Sequence, residues 1–177
     1  MRLTLRPATP DQAPAIAALR TAVAENLTAR HGPGLWSSAV TEKGVLFAMR
    51  NAATYVATRR NKIIATLTLC TKKPWAIDRK YFSACRRPLY LVAMAVDPDW
   101  QRQGGGRLCV EEAKRLASEW PGDAIFFDAY DAKAGEGEFY RKCGFREVGR
   151  VTYRNAPLIY FELLLSCPAG RLRLQKK

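Results

Sequence analysis

The apolar positions of the chain recur at two different periods, and their order predicts an α/β fold. LTLR at 3–6 has the pattern of a short strand, and a helix with apolar residues at helical spacing follows it. The apolar positions of this first helix are Ile16, Leu19, Val23 and Leu27. TEKGVLFAMRN predicts a second helix, which Gly44 weakens. TYVATRR and KIIATLTLC flank a turn at Asn61 and are rich in β-branched residues, so they predict a hairpin.

The centre of the chain predicts two buried strands joined by a helix. LYLVAMAV at 89–96 and AIFFDA at 124–129 are apolar without alternation, as expected of strands covered on both faces. RLCVEEAKRLASEW between them is amphipathic. Its apolar stripe consists of Leu108, Cys109, Val110, Ala113, Leu116, Ala117 and Trp120. A strand, a helix and a strand in this order predict a parallel crossover.

The last third of the chain predicts one more helix and a final pair of strands. GEGEFYRKCGF predicts a helix closed by Gly144, and REVGRVTYR and PLIYFELLL predict two antiparallel strands. No repeat or linker divides the 177 residues, so we predict a single domain over 1–177. Its parts are the first strand and helices (1–50), the sheet core with the glycine loop (54–129), the last helix and hairpin (130–165) and a basic tail (166–177).

Composition narrows the class of protein. Apolar residues make up 48% and charged residues 25% of the chain, which is typical of a globular domain. The net charge of +13 attracts polyanions, whether nucleic acid or a phosphorylated cofactor. The five cysteines are widely spaced and include no C-x-x-C pair, and the longest apolar run is too short to span a membrane. We therefore expect a cytoplasmic protein with reduced thiols and no metal.

Three consecutive glycines lie between the first buried strand and the amphipathic helix, in DWQRQGGGRL at 99–108. The first N–H groups of a helix have no partners within it, and glycines let a ligand approach them closely. The helix dipole, with Arg102 and Arg107, would favour an anion there. A Walker loop would need Lys-Ser/Thr at 107–108, and a dinucleotide fingerprint would need glycine in place of Cys109. The pattern predicts a phosphate cradle of another kind.

This loop resembles the pyrophosphate loop of the GCN5-related N-acetyltransferase (GNAT) family. VDPDWQRQGGGR is most similar to its ribosomal-protein alanine acetyltransferase branch, FYRKCGF resembles its second signature, and LRPATPDQAPAIAAL resembles its first strand and helix. The resemblance implies a mixed, mostly antiparallel twisted sheet of six to seven strands with about four helices. It also implies that the strands at 89–96 and 124–129 splay apart and that acetyl-CoA, as cosubstrate, lies in the opening.

The same resemblance implies which residues bind acetyl-CoA. The pantetheine arm would contact the backbone of Met94, Ala95 and Val96, where an N–H would also stabilise an oxyanion. The pyrophosphate would lie on Gln101, Arg102, Gln103, Gly104, Gly105, Gly106 and Arg107. Lys133 stands where many members have Asn, so it would contact CoA as a charge. Glu136 stands where they have Ala.

Two side chains are candidates for proton transfer. Tyr140 matches the tyrosine that protonates the CoA thiolate in the family, and its second interpretation is a packing residue. Asp128 stands where the alanine acetyltransferase branch has a glutamate proposed as base. Because aspartate is shorter, water is an alternative base, and Asp128 is then a carboxylate turned to solvent or capping the next turn.

The sequence therefore predicts an N-acetyltransferase that transfers acetyl from acetyl-CoA to a primary amine. A catalytically silent CoA-binding or regulatory module of the same fold is one alternative. A basic nucleic-acid-binding protein is another, disfavoured because no zinc-finger or RNP1-like motif is present. The expected partners are acetyl-CoA and an amine acceptor, with no membrane. The loops at 30–38 and 72–88, which carry Trp36 and Trp75, would select the acceptor. Protein N-terminus, polyamine, aminoglycoside and small amino acid all stay open.

Overall fold

A seven-stranded sheet organises the protein, in the order β1-β2-β3-β4-β5-β7-β6. The computed structural model describes residues 3–133 and 135–165. The strands are β1 (Arg6–Pro7), β2 (Ala53–Arg59), β3 (Lys62–Cys70), β4 (Pro88–Val96), β5 (Ala124–Tyr130), β6 (Arg146–Tyr153) and β7 (Ala156–Leu164). Neighbouring strands are antiparallel except for β4 and β5. The predicted mixed, mostly antiparallel sheet is confirmed.

Four α-helices accompany the sheet in the described part of the chain. They are α1 (Ala13–His31), α2 (Glu42–Asn51), α3 (Gly105–Glu119) and α4 (Gly137–Lys142). The predicted second helix forms despite Gly44, because the hydroxyl of Thr41 caps it by accepting a hydrogen bond from the Gly44 N–H at 3.1 Å. The predicted first strand is shorter than expected, since only Arg6 and Pro7 pair with β2.

Helix α3 covers the sheet with its apolar face. Its buried side chains include Cys109, Val110, Ala113, Leu116 and Ala117, as the sequence pattern predicts. The prediction that Trp120 continues this stripe is wrong: the helix ends at Glu119, and Trp120 is 37% exposed.

Strands β4 and β5 separate soon after they begin to pair. Their parallel register joins Pro88 to Ala124, Leu89 to Ile125 and Tyr90 to Phe126. Both strands continue beyond these pairs without bonding to each other, so a gap opens between them. This is the predicted splay. It also corrects the expectation that the whole run at 89–96 is covered on both faces, because residues 92–94 are half-buried or exposed.

The expectations about membrane spans, metal ligands, cysteines and the basic tail can be compared only with the residues that the structure describes. In the described residues, no helix combines the length and the apolar character needed to cross a membrane. The same residues contain no cluster of three or more His, Cys, Asp or Glu suited to a metal ion. Cys70, Cys85, Cys109 and Cys143 are free thiols. The basic tail predicted at 166–177 lies outside the described residues.

A buried carboxylate ties β7 to its surroundings. Glu162 is 1% exposed, accepts hydrogen bonds from the N–H and the hydroxyl of Ser83, both at 2.8 Å, and pairs with Arg146. Burial alone would raise the pKa of Glu162, but these contacts outweigh it and hold that pKa below its ordinary value near 4.5.

We expect Glu162→Gln to lower the free energy of unfolding by about 1 to 3 kcal/mol at pH 7, because its charge-assisted hydrogen bonds are lost. Since the folded pKa is lowered, this contribution is present above pH 4.5 and disappears as the pH falls through the folded pKa. Urea unfolding at pH 7 and pH 3.5 would measure both effects. Glu138→Gln, which removes an exposed ion pair with Arg141, is the control. An equal loss at both pH values would contradict the prediction.

Candidate active site

The gap between β4 and β5 coincides with a bulge in β4. Thr66 of β3 is opposite Ala95 and Thr68 is opposite Val92, so two residues of β4 face a single residue of β3. Ala93, at this bulge, has a φ of 54°, in the left-handed region that few residues other than glycine adopt. The bulge re-aims the backbone of β4 where the strand borders the gap.

A cavity of about 470 Å³ occupies the gap. Its walls come from α1, from the turn at 35–37, from β4 and β5, and from the start of α4. The predicted cofactor and catalytic residues that line it are Met94, Ala95, Asp128 and Tyr140. Val96, the loop at 101–107 and Lys133 are not among the described residues that line it. The structure thus brings both candidate acid–base residues to one cavity.

Tyr140 lies at the cavity with its ring in an aromatic cluster. The ring centroid is 4.5 Å from that of Phe127, 5.1 Å from Phe139 and 5.7 Å from Phe161. The hydroxyl donates a hydrogen bond of 3.1 Å to Oε2 of Glu136. Burial, followed by the negative charge of Glu136, raises the pKa of Tyr140 well above its ordinary value. The hydroxyl therefore keeps its proton throughout the neutral range.

Glu136 is a second carboxylate in the same cavity. The residue as a whole is exposed, but partial burial of its carboxyl group raises its pKa, an effect that the hydrogen bond from Tyr140 partly offsets. The sequence shows Glu136 only as a departure from the family pattern. In the structure, that departure gives the Tyr140 hydroxyl an acceptor.

Asp128 completes the acidic side of the cavity. It lies on β5 opposite Tyr160 and is half-buried. Burial raises the pKa of Asp128, and no ion pair to another described residue opposes that shift. The carboxylate is thus available as a proton acceptor.

The glycine loop lies beyond the end of β4 and is held at its base by Asp97. Asp97 is 4% exposed, pairs with Lys62 Nζ at 2.6 Å and accepts a hydrogen bond from the N–H of Asp99. The amide of Gln101 donates to the carbonyl of Val96 at 2.9 Å, and the amide of Gln103 donates to the carbonyl of Asp99 at 2.7 Å. These predicted cofactor residues therefore shape the loop.

The glycines open the start of α3. Gly104 has a φ of 87°, which favours glycine, and Gly105 is buried so close to the loop that a Cβ there would lie 2.6 Å from the carbonyl oxygen of Trp100. The backbone N–H groups of 104–107 find no acceptor among the described residues. Arg102 and Arg107 are exposed beside them. This arrangement fits a pyrophosphate, because free N–H groups and two exposed arginines belong to the same short segment.

The predicted site residues thus fall into two groups. Met94, Ala95, Asp128 and Tyr140 line the cavity, and the loop residues form the anion cradle next to it. Lys133 belongs to neither group in the described residues: it is exposed in the segment after β5, so its contact with the cofactor stays a prediction.

The sequence patterns assigned no role to Arg20, whereas they placed Trp36 in a loop expected to select the acceptor. Arg20 lines the cavity from α1, where its spacing from Val23 and Leu27 would have placed it on one helix face with them. Trp36 also lines the cavity, with its ring 5.4 Å from that of Tyr130, as expected for its loop. Trp75 is 85% exposed and lies outside the described cavity wall.

Comparison with solved structures shows the same fold in known acetyltransferases. The ribosomal-protein-S18-alanine N-acetyltransferase of Escherichia coli has a TM-score of 0.68 and 17% identity, over 97% of this chain and 99% of that one. The ribosomal-protein-alanine N-acetyltransferase of Brucella melitensis gives 0.68 and 19%, over 92% and 100%. An N-acetyltransferase from Staphylococcus aureus Mu50 gives 0.66 and 16%, over 93% and 99%. No curated protein sequence matches.

The sequence also matches a family model directly. The acetyltransferase (GNAT) domain model covers residues 50–147, which is more than half of the chain and runs from the end of α2 to the start of β6. This range contains the splayed strands, the glycine loop and Tyr140. The protein therefore belongs to the GNAT family of acetyltransferases.

Proposed function

We propose that the protein transfers the acetyl group of acetyl-CoA directly to a primary amine. The observation that carries this proposal is the position of Tyr140, which lines the cavity between the splayed strands and whose hydroxyl bonds to Glu136, another lining residue. The family uses acetyl-CoA, which supplies the acetyl group as a thioester.

The described residues suit each part of this cosubstrate. The free N–H groups of 104–107, with Arg102 and Arg107, would hold the pyrophosphate. The backbone of Met94, Ala95 and Val96 borders the gap, where the pantetheine arm would complete the hydrogen bonding of the separated strand. A backbone N–H near the bulge would stabilise negative charge on the carbonyl oxygen during transfer.

Tyr140 and Asp128 divide the proton transfers. Asp128 accepts a proton from the amine, and Tyr140 donates one to the sulfur as the thioester bond breaks. The raised pKa of Tyr140 keeps its hydroxyl protonated until the thiolate forms, and the hydrogen bond to Glu136 fixes the position of that hydroxyl. The O–H then turns from Glu136 to the sulfur as it gives up its proton, and the phenolate regains a proton from solvent. Glu136 thus acts through Tyr140 as a positioning residue.

Asp128→Asn tests the proposed base. A base works only when deprotonated, so activity should rise with pH through the pKa of Asp128, which burial places above its ordinary value. We expect the variant to lose this acidic limb of kcat/KM, measured from pH 4 to 8. Asp131→Asn, which removes an ion pair with Arg150, is the matched control. An unchanged limb in Asp128→Asn would assign the proton to water.

The function as a whole is tested by mixing the protein with acetyl-CoA and a panel of amines and measuring the released thiol. We expect release with at least one amine. Tight binding of acetyl-CoA by calorimetry with no release across the panel would favour a silent CoA-binding module instead.

A further inference from the structure

One positive side chain in the cavity lacks a partner. Arg20 is half-buried on α1 and lines the cavity together with Val23, Ala24 and Leu27. Among the described residues, no carboxylate or carbonyl accepts a hydrogen bond from its guanidinium. A guanidinium stays charged and presents five N–H donors, so leaving it unpaired at a partly dehydrated site costs free energy. Burial accordingly lowers the pKa of Arg20.

A second donor on the same wall is also without an acceptor. The indole N–H of Trp36 is enclosed and makes no hydrogen bond in the described structure. The wall formed by α1 and the turn at 35–37 therefore offers donors without acceptors. Two carboxylates, Asp128 and Glu136, line the same cavity from β5 and from the start of α4. The lining also includes apolar side chains: Val23 and Leu27 on α1, with Val40 and Leu158.

The phosphates of acetyl-CoA are not the natural partner of Arg20. Their proposed cradle is the loop at 101–107, and no residue of that loop lines the cavity in which Arg20 lies. The anion that pairs with Arg20 must therefore come from the other molecule that enters the cavity.

We propose that Arg20 binds an acidic group of the acceptor, so that the acceptor is an amino acid or another small amine with a carboxylate or phosphonate. This inference rests on the proposed acetyl transfer. The amine of such a molecule faces Asp128 and Glu136, its acidic group pairs with Arg20, and its apolar body lies between them. A polyamine or an aminoglycoside has no anionic group to pair with Arg20, and its ammonium groups would be repelled by the guanidinium.

Matched pairs of acceptors test this inference. Leucine, phenylalanine, methionine and glutamate are each compared with their α-carboxamides, with acetyl-CoA and a thiol readout. The ammonium group of the amide is more acidic than that of the acid, so its amine is more often neutral at pH 7. Intrinsic reactivity alone would therefore make the amide the better acceptor. We expect at least one acid to exceed its amide in kcat/KM by about tenfold, the scale of a charge-assisted contact.

Arg20→Gln should reduce kcat/KM for that acid by about tenfold, leave the amide unchanged and leave the Kd for acetyl-CoA unchanged. Arg50→Gln, at an exposed position on α2 outside the described cavity wall, should change none of these values. If Arg20→Gln is poorly folded by circular dichroism, Arg20→Lys keeps the charge but loses the bidentate geometry and should give a smaller loss.

The outcomes separate the two proposals. Release with amides or polyamines but not with acids overturns the assignment of Arg20, while acetyl transfer stands. A weaker Kd for acetyl-CoA in Arg20→Gln, with an unchanged ratio of acid to amide, also overturns it, because the anion then belongs to the cosubstrate. No thiol release with any amine overturns the proposed function and this inference with it.

Discussion

Replacing Tyr140 by Phe should lower kcat by roughly 10² to 10⁴, the range typical of general acid–base catalysis, with little change in the Kd for acetyl-CoA. The phenyl ring keeps the contacts with Phe127, Phe139 and Phe161, so the aromatic cluster and the fold should persist. Only the hydroxyl that donates to Glu136 is removed. Steady-state kinetics and calorimetry with the same preparation would separate the two effects.

A matched variant shows whether the loss belongs to this hydroxyl. Tyr153→Phe removes a phenol on β6 outside the cavity wall and should leave kcat unchanged. Glu136→Ala keeps the Tyr140 hydroxyl but removes its acceptor, so we expect a smaller loss in kcat than in Tyr140→Phe. An unchanged kcat in Tyr140→Phe would return Tyr140 to its second interpretation, a packing residue.

Gly105→Ala should raise the Kd for acetyl-CoA by roughly 10- to 100-fold, about 1.4 to 2.8 kcal/mol. A Cβ at this position would lie 2.6 Å from the Trp100 carbonyl oxygen and 3.2 Å from Cγ1 of Val96. Because the nearer atom belongs to the backbone, the loop itself must shift, and the free N–H groups at 104–107 shift with it. Overpacking of this kind also costs about 1 to 3 kcal/mol of stability. Calorimetry and thermal unfolding would measure the two changes.

Gly44→Ala is the control for this substitution. Gly44 lies in α2, where a Cβ would meet only the hydroxyl of Thr41 at 3.3 Å. Alanine is also a better helix former than glycine, so α2 should stay intact. Because Gly44 is not part of the loop at 101–107, the Kd for acetyl-CoA should be unchanged. A Kd that does not change in Gly105→Ala would show that the cradle at 104–107 does not hold the cosubstrate.

The sequence predicts those parts of the fold that depend on regular patterns. The amphipathic spacing of α3 and the β-branched hairpin are local features, and the structure confirms them. The extent of β1 is different, because pairing of Leu3 to Pro7 depends on β2, nearly 50 residues later in the chain. The exposure of Trp120 could not be predicted either, because it depends on the exact residue at which α3 ends.

The site is predictable only where a motif marks it. Tyr140 and the glycine loop are found from short motifs. The structure adds that Gly105 is also needed for packing, because a Cβ there would collide with the Trp100 carbonyl oxygen, and the motif alone does not show this. Arg20 has no motif, because a lone arginine on a helix is ordinarily a solvated residue. Ala93 has no motif either. Its left-handed conformation arises at the register shift between β3 and β4, and an alanine in the sequence does not indicate such a shift.

The lining of the cavity comes from separate parts of the chain. Helix α1 and the turn at 35–37 precede β2, whereas Asp128 lies on β5 and Tyr140 on α4. Under the proposed function, substitutions in the N-terminal quarter would alter acceptor preference and leave the residues of the transfer step unchanged. This division would let one scaffold serve different acceptors over evolution.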